Sequence, residues 1–276
     1  MSTTSRYVVG IDLGTTHSVM AYLDTSQLGE EGPPPVPVLF EVPQVVLPGQ
    51  VDARPLLPSF LYLSAPTDFP ARSLQLPWAS EDRTWTVGEL ARQHGGNVPM
   101  RLVSSAKSWL AYDGVDRSAP ILPFAAPSDG PDAVPKVSPV DASARYLEHL
   151  KDAWNHQKPG HPLHEQEVLI TVPASFDQVA RELTVRAAHQ AGLQKVTLLE
   201  EPQAAFYAWL GRHPRSWRDL LHVGDVVLVC DVGGGTTDFS LISVADQVGN
   251  LTIERIAVGD HILLGGDNMD LMLAMS

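Results

Sequence analysis

Two short glycine-rich segments contain the residues whose types and spacing could do chemistry. Residues 226–238 read as an apolar, β-branched strand that ends in Asp231 and runs into three glycines and two threonines. Residues 8–16 repeat this order, with Asp12 ahead of Gly14 and two threonines. Glycine permits a tight turn whose N–H groups approach an anion, and threonine hydroxyls add donors. One such segment alone would fit an ordinary glycine-rich β-turn, whereas the pair predicts two hairpins that face each other across one polyphosphate.

Asp12 and Asp231 precede the two turns, and alternating strands and helices must position a third acid, Glu201, between them. The pattern predicts strands at 168–172 and 195–199 and helices at 176–191, stopped by Gly192, and 203–210. This order implies βαβ crossovers and a largely parallel α/β sheet, in which ligands bind beyond the carboxyl ends of the strands. Asp12, Glu201 and Asp231 all fall at such ends. Three carboxylates there predict a Mg²⁺ site in which the ion is held largely through its own waters.

The rest of the chain predicts supporting elements. Strands are expected at 6–12, 18–23 and 57–63, and helices at 104–110 and 141–156. Thr86 and Glu89 have the spacing of a capping box at the start of another helix.

Two proline-rich stretches interrupt this pattern. Residues 27–58 contain eight of the 23 prolines, including Pro33 to Pro35, and so cannot form a helix. Short β-like pieces at 36–42 and 45–47 indicate an edge hairpin or extended loop, and a proline-rich docking ligand is the alternative. The second stretch, 118–139, reads as a loop.

Composition limits the class of protein and its partners. A chain of 276 residues that is 44% hydrophobic can bury a sizeable core and is long enough for two subdomains or domains. A net charge of −13 argues against nucleic acid or an anionic membrane as partner. The single cysteine, Cys230, is predicted to lie in a buried strand and suits a reducing compartment. With no signal pattern and no membrane-length apolar run, the expected location is the cytoplasm.

Other candidate chemistry is weaker. His156, His161 and His164 could form a metal cluster, but the Lys-Pro-Gly turn between them favours an exposed loop. Lys107 could reach a phosphate, although from the residues alone a solvated lysine beside a core tryptophan is the simpler interpretation. The chain lacks the usual P-loop, dinucleotide, zinc-protease and serine-hydrolase motifs.

The two glycine segments resemble the phosphate motifs of the actin, sugar-kinase and heat-shock ATPase superfamily. Four further stretches narrow the resemblance to the DnaK-type seventy-kilodalton heat-shock chaperones. They are Ala106-Lys107, the segment ITVPASF at 170–176, LEEPQAA at 199–205 and LGGDNMD at 264–270. The resemblance runs from about Arg6 to the last residue and is weak across the proline-rich regions.

The resemblance implies roles for individual residues. Asp12 and Asp231 match the acids that hold magnesium through water, and Lys107 matches the lysine that holds the attacking water and the γ-phosphate. Glu201 matches the acid that helps to place that water and the metal. Pro173 and Arg181 match a pair that relays the nucleotide state to the substrate-binding domain. The phosphate loops match these residues, among which the Thr236 hydroxyl lies near the terminal phosphate: Gly14, Thr15, Thr16 and His17, and Gly233, Gly234, Gly235 and Thr236.

The family also implies an architecture. It is the actin-like (ribonuclease H-like) ATPase fold, with a first lobe at 1–38 and 140–222, an inserted smaller lobe at 39–139, and the start of a second lobe at 223–276. His17 stands where the family usually has tyrosine or asparagine, and Glu200 stands where asparagine is usual. The chain stops before the part of the second lobe that holds adenosine in this family. We therefore expect a fragment that binds nucleotide weakly or not at all, which calorimetry with ATP would check.

The implied function is ATP binding and hydrolysis to ADP by a molecular chaperone of the stress response. Mg²⁺ is the implied cofactor, and client proteins and co-chaperones are the implied partners. A small-molecule kinase of the same superfamily and a non-catalytic actin-like binding module are the alternatives. A sugar-dependent rise in ATP consumption would reveal the kinase, and an absence of hydrolysis by the longer protein would reveal the binding module.

Overall fold

The described part of the chain has a mixed α/β fold with several β-sheets. A computed structural model describes residues 5–28, 36–81, 83–130, 133–214, 216–247, 250–259, 262 and 264–276. The predicted non-helical run Pro33 to Pro35 lies outside these residues. None of the described helices combines the length and apolar character that a membrane crossing requires.

Strands outnumber helices along the described chain. The strands are β1 (Tyr7–Leu13), β2 (His17–Asp24), β3 (Val38–Leu39), β4 (Val42–Leu47), β5 (Gln50–Arg54), β6 (Leu57–Pro58), β7 (Leu61–Leu63), β8 (Trp85–Val87), β9 (Leu102–Val103), β10 (Glu167–Val172), β11 (Val196–Glu200), β12 (Val226–Val232), β13 (Thr237–Gln247) and β14 (Asn250–Val258). The helices are α1 (Glu89–Asn97), α2 (Ala106–Ala111), α3 (Pro139–Gln157), α4 (Gln178–Gln190), α5 (Glu201–Arg212), α6 (Trp217–Leu220) and α7 (Gly266–Met275).

The largest sheet has the strand order β11-β10-β1-β2-β3, with β6 also paired to β2. Strand β10 is parallel to both β1 and β11, which confirms the predicted parallel crossovers. The sheet is mixed, because β2 runs antiparallel to β1 and to its short partners β3 and β6. The parallel strands bring the ends of β1, β10 and β11 to one edge of the sheet.

The core lies between this sheet and the helices α3 and α4. Helix α3 begins with a capping box between Ser138 and Asp141 and buries Leu147, Leu150 and Trp154 completely. The predicted amphipathic helix is therefore confirmed. Helix α4 is followed by Gly192, whose φ of +87° is the left-handed conformation expected for a glycine stop.

The predicted Thr86 helix cap is wrong. Thr86 lies in β8, where it pairs with Tyr62 of β7, and α1 begins three residues later. Gly88 turns the chain with a φ of +88°, and the Glu89 N–H donates to the Gln44 side chain at 2.9 Å. A side chain from β4 thus supplies the acceptor that the sequence pattern assigned to Thr86.

The proline-rich stretch forms the hairpin β4–β5, as one of the two interpretations expected. The predicted single strand 57–63 is instead divided into β6 and β7, which join different sheets. The break falls at Ser59, whose N–H and hydroxyl both bind the turn between β1 and β2.

A separate antiparallel sheet contains β12, β13 and β14 in that order. The β12–β13 hairpin that follows Asp231 was predicted and is confirmed. The predicted burial of Cys230 is wrong, because its side chain is exposed. Cys230 shares the outer face of an edge strand with Val226, Leu228 and Val232, which are more than half exposed, so β-branched composition alone did not indicate burial here.

Candidate functional site

The first glycine turn, residues 14–16, joins β1 to β2. A Cβ added at Gly14 would lie 2.3 Å from the His17 carbonyl oxygen, so this turn accepts only glycine. The Ser59 hydroxyl donates to the Gly14 carbonyl at 2.8 Å, and the Ser59 N–H donates to the Thr16 carbonyl at 2.9 Å. Ser59, which lies between β6 and β7, therefore anchors the turn, a role that no sequence pattern indicated.

The second glycine turn, residues 233–236, joins β12 to β13. It is closed by the Gly233 N–H, which donates to the Thr236 carbonyl at 2.9 Å. Its outer side is tied to the end of the chain, because Gly266 donates to the Gly233 carbonyl and Asp267 donates to the Gly234 carbonyl. The LGGD segment at 264–267 was identified only by its resemblance to the family. In the structure its backbone hydrogen bonds stabilise the second turn.

The two turns meet, as their duplication predicted. A Cβ at Gly234 would lie 2.0 Å from the Thr16 methyl group, and one at Gly235 would lie 2.9 Å from the Thr15 methyl group. Ser108 of α2 is part of this contact, because the same added Cβ at Gly235 would lie 2.7 Å from its hydroxyl oxygen. Residues about 220 positions apart in the chain thus lie in direct contact, and the backbone N–H groups of such glycine turns can approach an anion closely.

A methyl group at Gly234 should force the turns apart. We expect Gly234→Ala to lower the free energy of unfolding by about 1–3 kcal/mol, because Thr16 is short and β-branched and has little freedom to move. The matched control is Gly233→Ala, whose Cβ would make an ordinary 3.5 Å contact with the Thr236 carbonyl. Urea unfolding of both variants checks this, and equal stabilities would contradict the close approach of the turns.

Lys107 and Glu201 form an ion pair beside the turns. The Lys107 Nζ donates to Glu201 Oε1 at 2.5 Å, and both side chains are largely buried. Burial raises the pKa of Glu201, the charge of Lys107 opposes this rise, and Asp12 and Asp231 add to it. Asp12 and Asp231 therefore both lie within electrostatic reach of Glu201.

Asp12 lies at the end of β1 with its carboxylate oriented by β10. Its Oδ1 accepts a hydrogen bond of 2.9 Å from the Thr171 hydroxyl, and the residue is exposed to solvent. Asp231 lies at the corresponding end of β12. In the described part of the chain, no three histidine, cysteine or acidic side chains converge closely enough to ligate a metal directly. Carboxylate oxygens such as those of Asp12 and Asp231 are ligands that a hard cation such as Mg²⁺ prefers.

His17 lies behind the first turn with its ring against Thr16. Its Nδ1 is 3.3 Å from the Thr16 hydroxyl, and burial together with the charge of Arg92 lowers its pKa. A neutral ring adds no positive charge to the turn at pH 7. Asp267 lies close enough to raise that pKa, and it accepts a hydrogen bond from Ser105, whose left-handed backbone begins α2.

Comparisons with known proteins point to one family. The model of the Hsp70 protein family matches residues 79–275. The chaperone protein HscA homolog of Actinobacillus pleuropneumoniae (serotype 5b, strain L20) is 33% identical over 98% of this chain and 37% of its own length. HscA of Pectobacterium carotovorum is 32% identical, and HscA of Xenorhabdus nematophila is 31% identical, with the same coverage.

The chain therefore spans little more than a third of the length of the curated relatives it matches. The family model covers well over half of the chain, and it includes Lys107, Glu201 and the second glycine turn. The chain belongs to the Hsp70 family of chaperones.

Proposed function

We propose that these residues form the nucleotide-binding part of a chaperone that binds Mg-ATP and hydrolyses it to ADP. The observation that carries the proposal is the contact between the two glycine turns, with the Lys107–Glu201 pair and two further acids beside it. Phosphoryl transfer needs positioning and charge neutralisation more than covalent chemistry from the protein. A cleft built of N–H donors, one lysine and three carboxylates supplies both.

Each side chain then has a distinct task. The N–H groups of the turns and the Thr236 hydroxyl bind phosphate oxygens, and Lys107 orients the attacking water against the terminal phosphate. Glu201 holds the Lys107 ammonium group and accepts a hydrogen bond from that water. Asp12 and Asp231 would hold Mg²⁺, which would supply positive charge to neutralise the phosphates.

We propose three structural units around this cleft. Residues 1–38 and 140–222 form a first lobe, 39–139 an inserted smaller lobe, and 223–276 the beginning of a second lobe. The largest sheet with α3 and α4 supports the first, and the β12–β14 sheet with α7 supports the last. Ser59 and Lys107 then reach the cleft from the inserted unit.

The nucleotide state would control peptide binding by a C-terminal domain. The relatives are named as chaperone proteins, which supports client proteins and co-chaperones as partners, and the cytoplasmic location stays a prediction from the sequence. Arg181 is placed to take part, because it binds the carbonyls of Ala174 and Phe176 just after Pro173. The Hsp70 family match favours this chaperone function over a small-molecule kinase.

The test is ATP hydrolysis by the complete protein, measured with and without magnesium. We expect slow, magnesium-dependent turnover that small sugars do not accelerate. Nucleotide binding without turnover would instead support the non-catalytic module, and sugar-dependent turnover would support the kinase. Calorimetry on the 276-residue chain alone would show how much of the nucleotide affinity these residues supply.

A further inference from the structure

Glu200 binds two arginines from different parts of the fold. Its Oε1 accepts from Arg181 Nη2 of α4 at 2.8 Å, and also from Arg255 Nη1 of β14. The Glu200 side chain is only 15% exposed, whereas the two arginines are about twice as exposed. A largely buried carboxylate with two cationic partners is a directed contact and not a chance surface pair.

The clamp Arg181–Glu200–Arg255 joins three elements that carry parts of the candidate site. Glu200 is the last residue of β11 and directly precedes Glu201. Arg181 fixes the loop after β10 through two backbone carbonyls. Arg255 belongs to the sheet that contains Asp231, since β14 pairs with β13 and β13 pairs with β12.

A β-bulge beside Arg255 helps to orient its side chain toward Glu200. Between β13 and β14 the pairing changes from Leu241 with Ala257 to Ile242 with Arg255, so that Ile256 is the extra residue. Such a bulge bends the strand and redirects the neighbouring side chains. The extra residue of the bulge and the residue that makes the ion pair are neighbours in the chain, which supports a specific role for Arg255.

We propose that Glu200 and Arg255 are positioning residues that set the distance between Glu201 and Asp231 across the cleft. This inference rests on the proposed function for its catalytic consequence, whereas its structural consequence stands alone. Two lobes joined by a small interface move relative to each other by default. Both arginines bind the same Glu200 oxygen. The clamp therefore limits the motion between Glu201 of the proposed first lobe and Asp231 of the proposed second lobe.

The structural test measures the spread of distances between two spin labels, one on the proposed first lobe and one on the proposed second lobe. Spin labels on Val179→Cys of α4 and Val226→Cys of β12, both half exposed, are introduced with Cys230→Ser. We expect Glu200→Gln and Arg255→Gln each to broaden the distance distribution about twofold, and the double variant to broaden it no further. Arg255→Lys, which keeps the charge, should retain most of the narrow distribution.

The matched control is Arg212→Gln, which removes the same charge from an exposed position at the end of α5. A distribution in the Glu200→Gln and Arg255→Gln variants that equals the control would overturn the clamp. Glu200→Gln is nearly isosteric, so it remains interpretable where Arg255→Gln disturbs folding.

The catalytic test uses the complete protein. We expect Arg255→Gln to lower kcat about tenfold while KM for ATP changes little, because a misplaced Glu201 affects the reacting geometry more than phosphate binding. If Arg255→Gln lowers both kcat and thermal stability but leaves the distance distribution unchanged, Arg255 is a structural residue and not a positioning residue. If the wild-type protein hydrolyses no ATP, the proposed function fails, and the distance measurement still decides the clamp.

Discussion

Lys107→Ala should leave nucleotide bound to the complete protein and lower its turnover by about a hundredfold to a thousandfold. In the proposed site the glycine turns would bind phosphate through backbone N–H groups, which this substitution does not remove. Lys107, in contrast, is held by Glu201, which also lies within electrostatic reach of Asp12 and Asp231. Single-turnover hydrolysis and nucleotide affinity, measured on the same preparation, separate the two effects.

The loss should have two physical sources. Removing the ammonium group takes a cation away from the terminal phosphate, and it also leaves the Glu201 carboxylate buried beside Asp12 and Asp231. Because burial and both acids already raise the pKa of Glu201, loss of the opposing lysine raises it further. The protonated form of Glu201 is then favoured relative to wild type, and a protonated carboxyl group is a poorer acceptor for a hydrogen bond from the attacking water.

This coupling predicts non-additive effects. Lys107→Ala combined with Glu201→Gln should be little worse than Lys107→Ala alone, since the two residues act as a unit. Lys195→Ala, at an exposed lysine before β11, is the matched control and should keep wild-type turnover. An unchanged rate in Lys107→Ala would remove Lys107 from the mechanism.

Much of the fold could be predicted because its signals are local. The duplicated order of strand, acid, glycines and threonines predicted both hairpins, and the spacing of Leu147, Leu150 and Trp154 predicted α3. The βαβ order predicted the parallel pairing of β10 with β11, whereas the sheet as a whole is mixed and not largely parallel as expected. In each case a few adjacent residues determine the backbone and the face that is buried.

The errors arose where a distant residue decided the outcome. Thr86 has the correct spacing for a helix cap, but Gln44 supplies the acceptor from another strand. Ser59 interrupts an apolar run because it binds the first glycine turn, far away in sequence. Neither contact leaves a periodic pattern in the sequence.

The candidate site shows the same division. Its acids and glycines are recognisable from their order, whereas the clamp at Glu200 depends on Arg255, which reaches Glu200 through a bulge in another sheet. From the sequence, Glu200 was only a departure from the family pattern. Its ion pairs with Arg181 and Arg255 are visible only in the three-dimensional structure.

His149 makes the stability of the chain depend on pH. It is a buried residue of α3, and its Nε2 lies 2.9 Å from the Pro43 carbonyl. A carbonyl only accepts, so Nε2 carries the hydrogen, and Nδ1 finds no partner among the described residues. Protonation would place an unsatisfied N–H and a charge in the core.

Burial, with a contribution from the nearby Arg83, lowers the pKa of His149 to about 4. The unfolded chain binds this proton near the ordinary histidine pKa of 6.5, whereas the folded chain resists it. The unfolded state therefore holds more protons between pH 6.5 and pH 4, and stability falls as the pH falls through this range. One unit of pKa is worth about 1.4 kcal/mol, so the loss amounts to about 3 kcal/mol by pH 4.

His149→Gln should flatten this pH dependence, because glutamine does not titrate and its amide can still donate to the Pro43 carbonyl. Urea unfolding between about pH 4.5 and 7.5 should then show the variant less stable than wild type at the upper end, with the difference shrinking by about 1.4 kcal/mol per pH unit below about pH 6. His164→Gln, at an exposed histidine, is the matched control. The carboxylates titrate alike in all three proteins, so a parallel decline in wild type and His149→Gln would assign the acid sensitivity to those groups and not to His149.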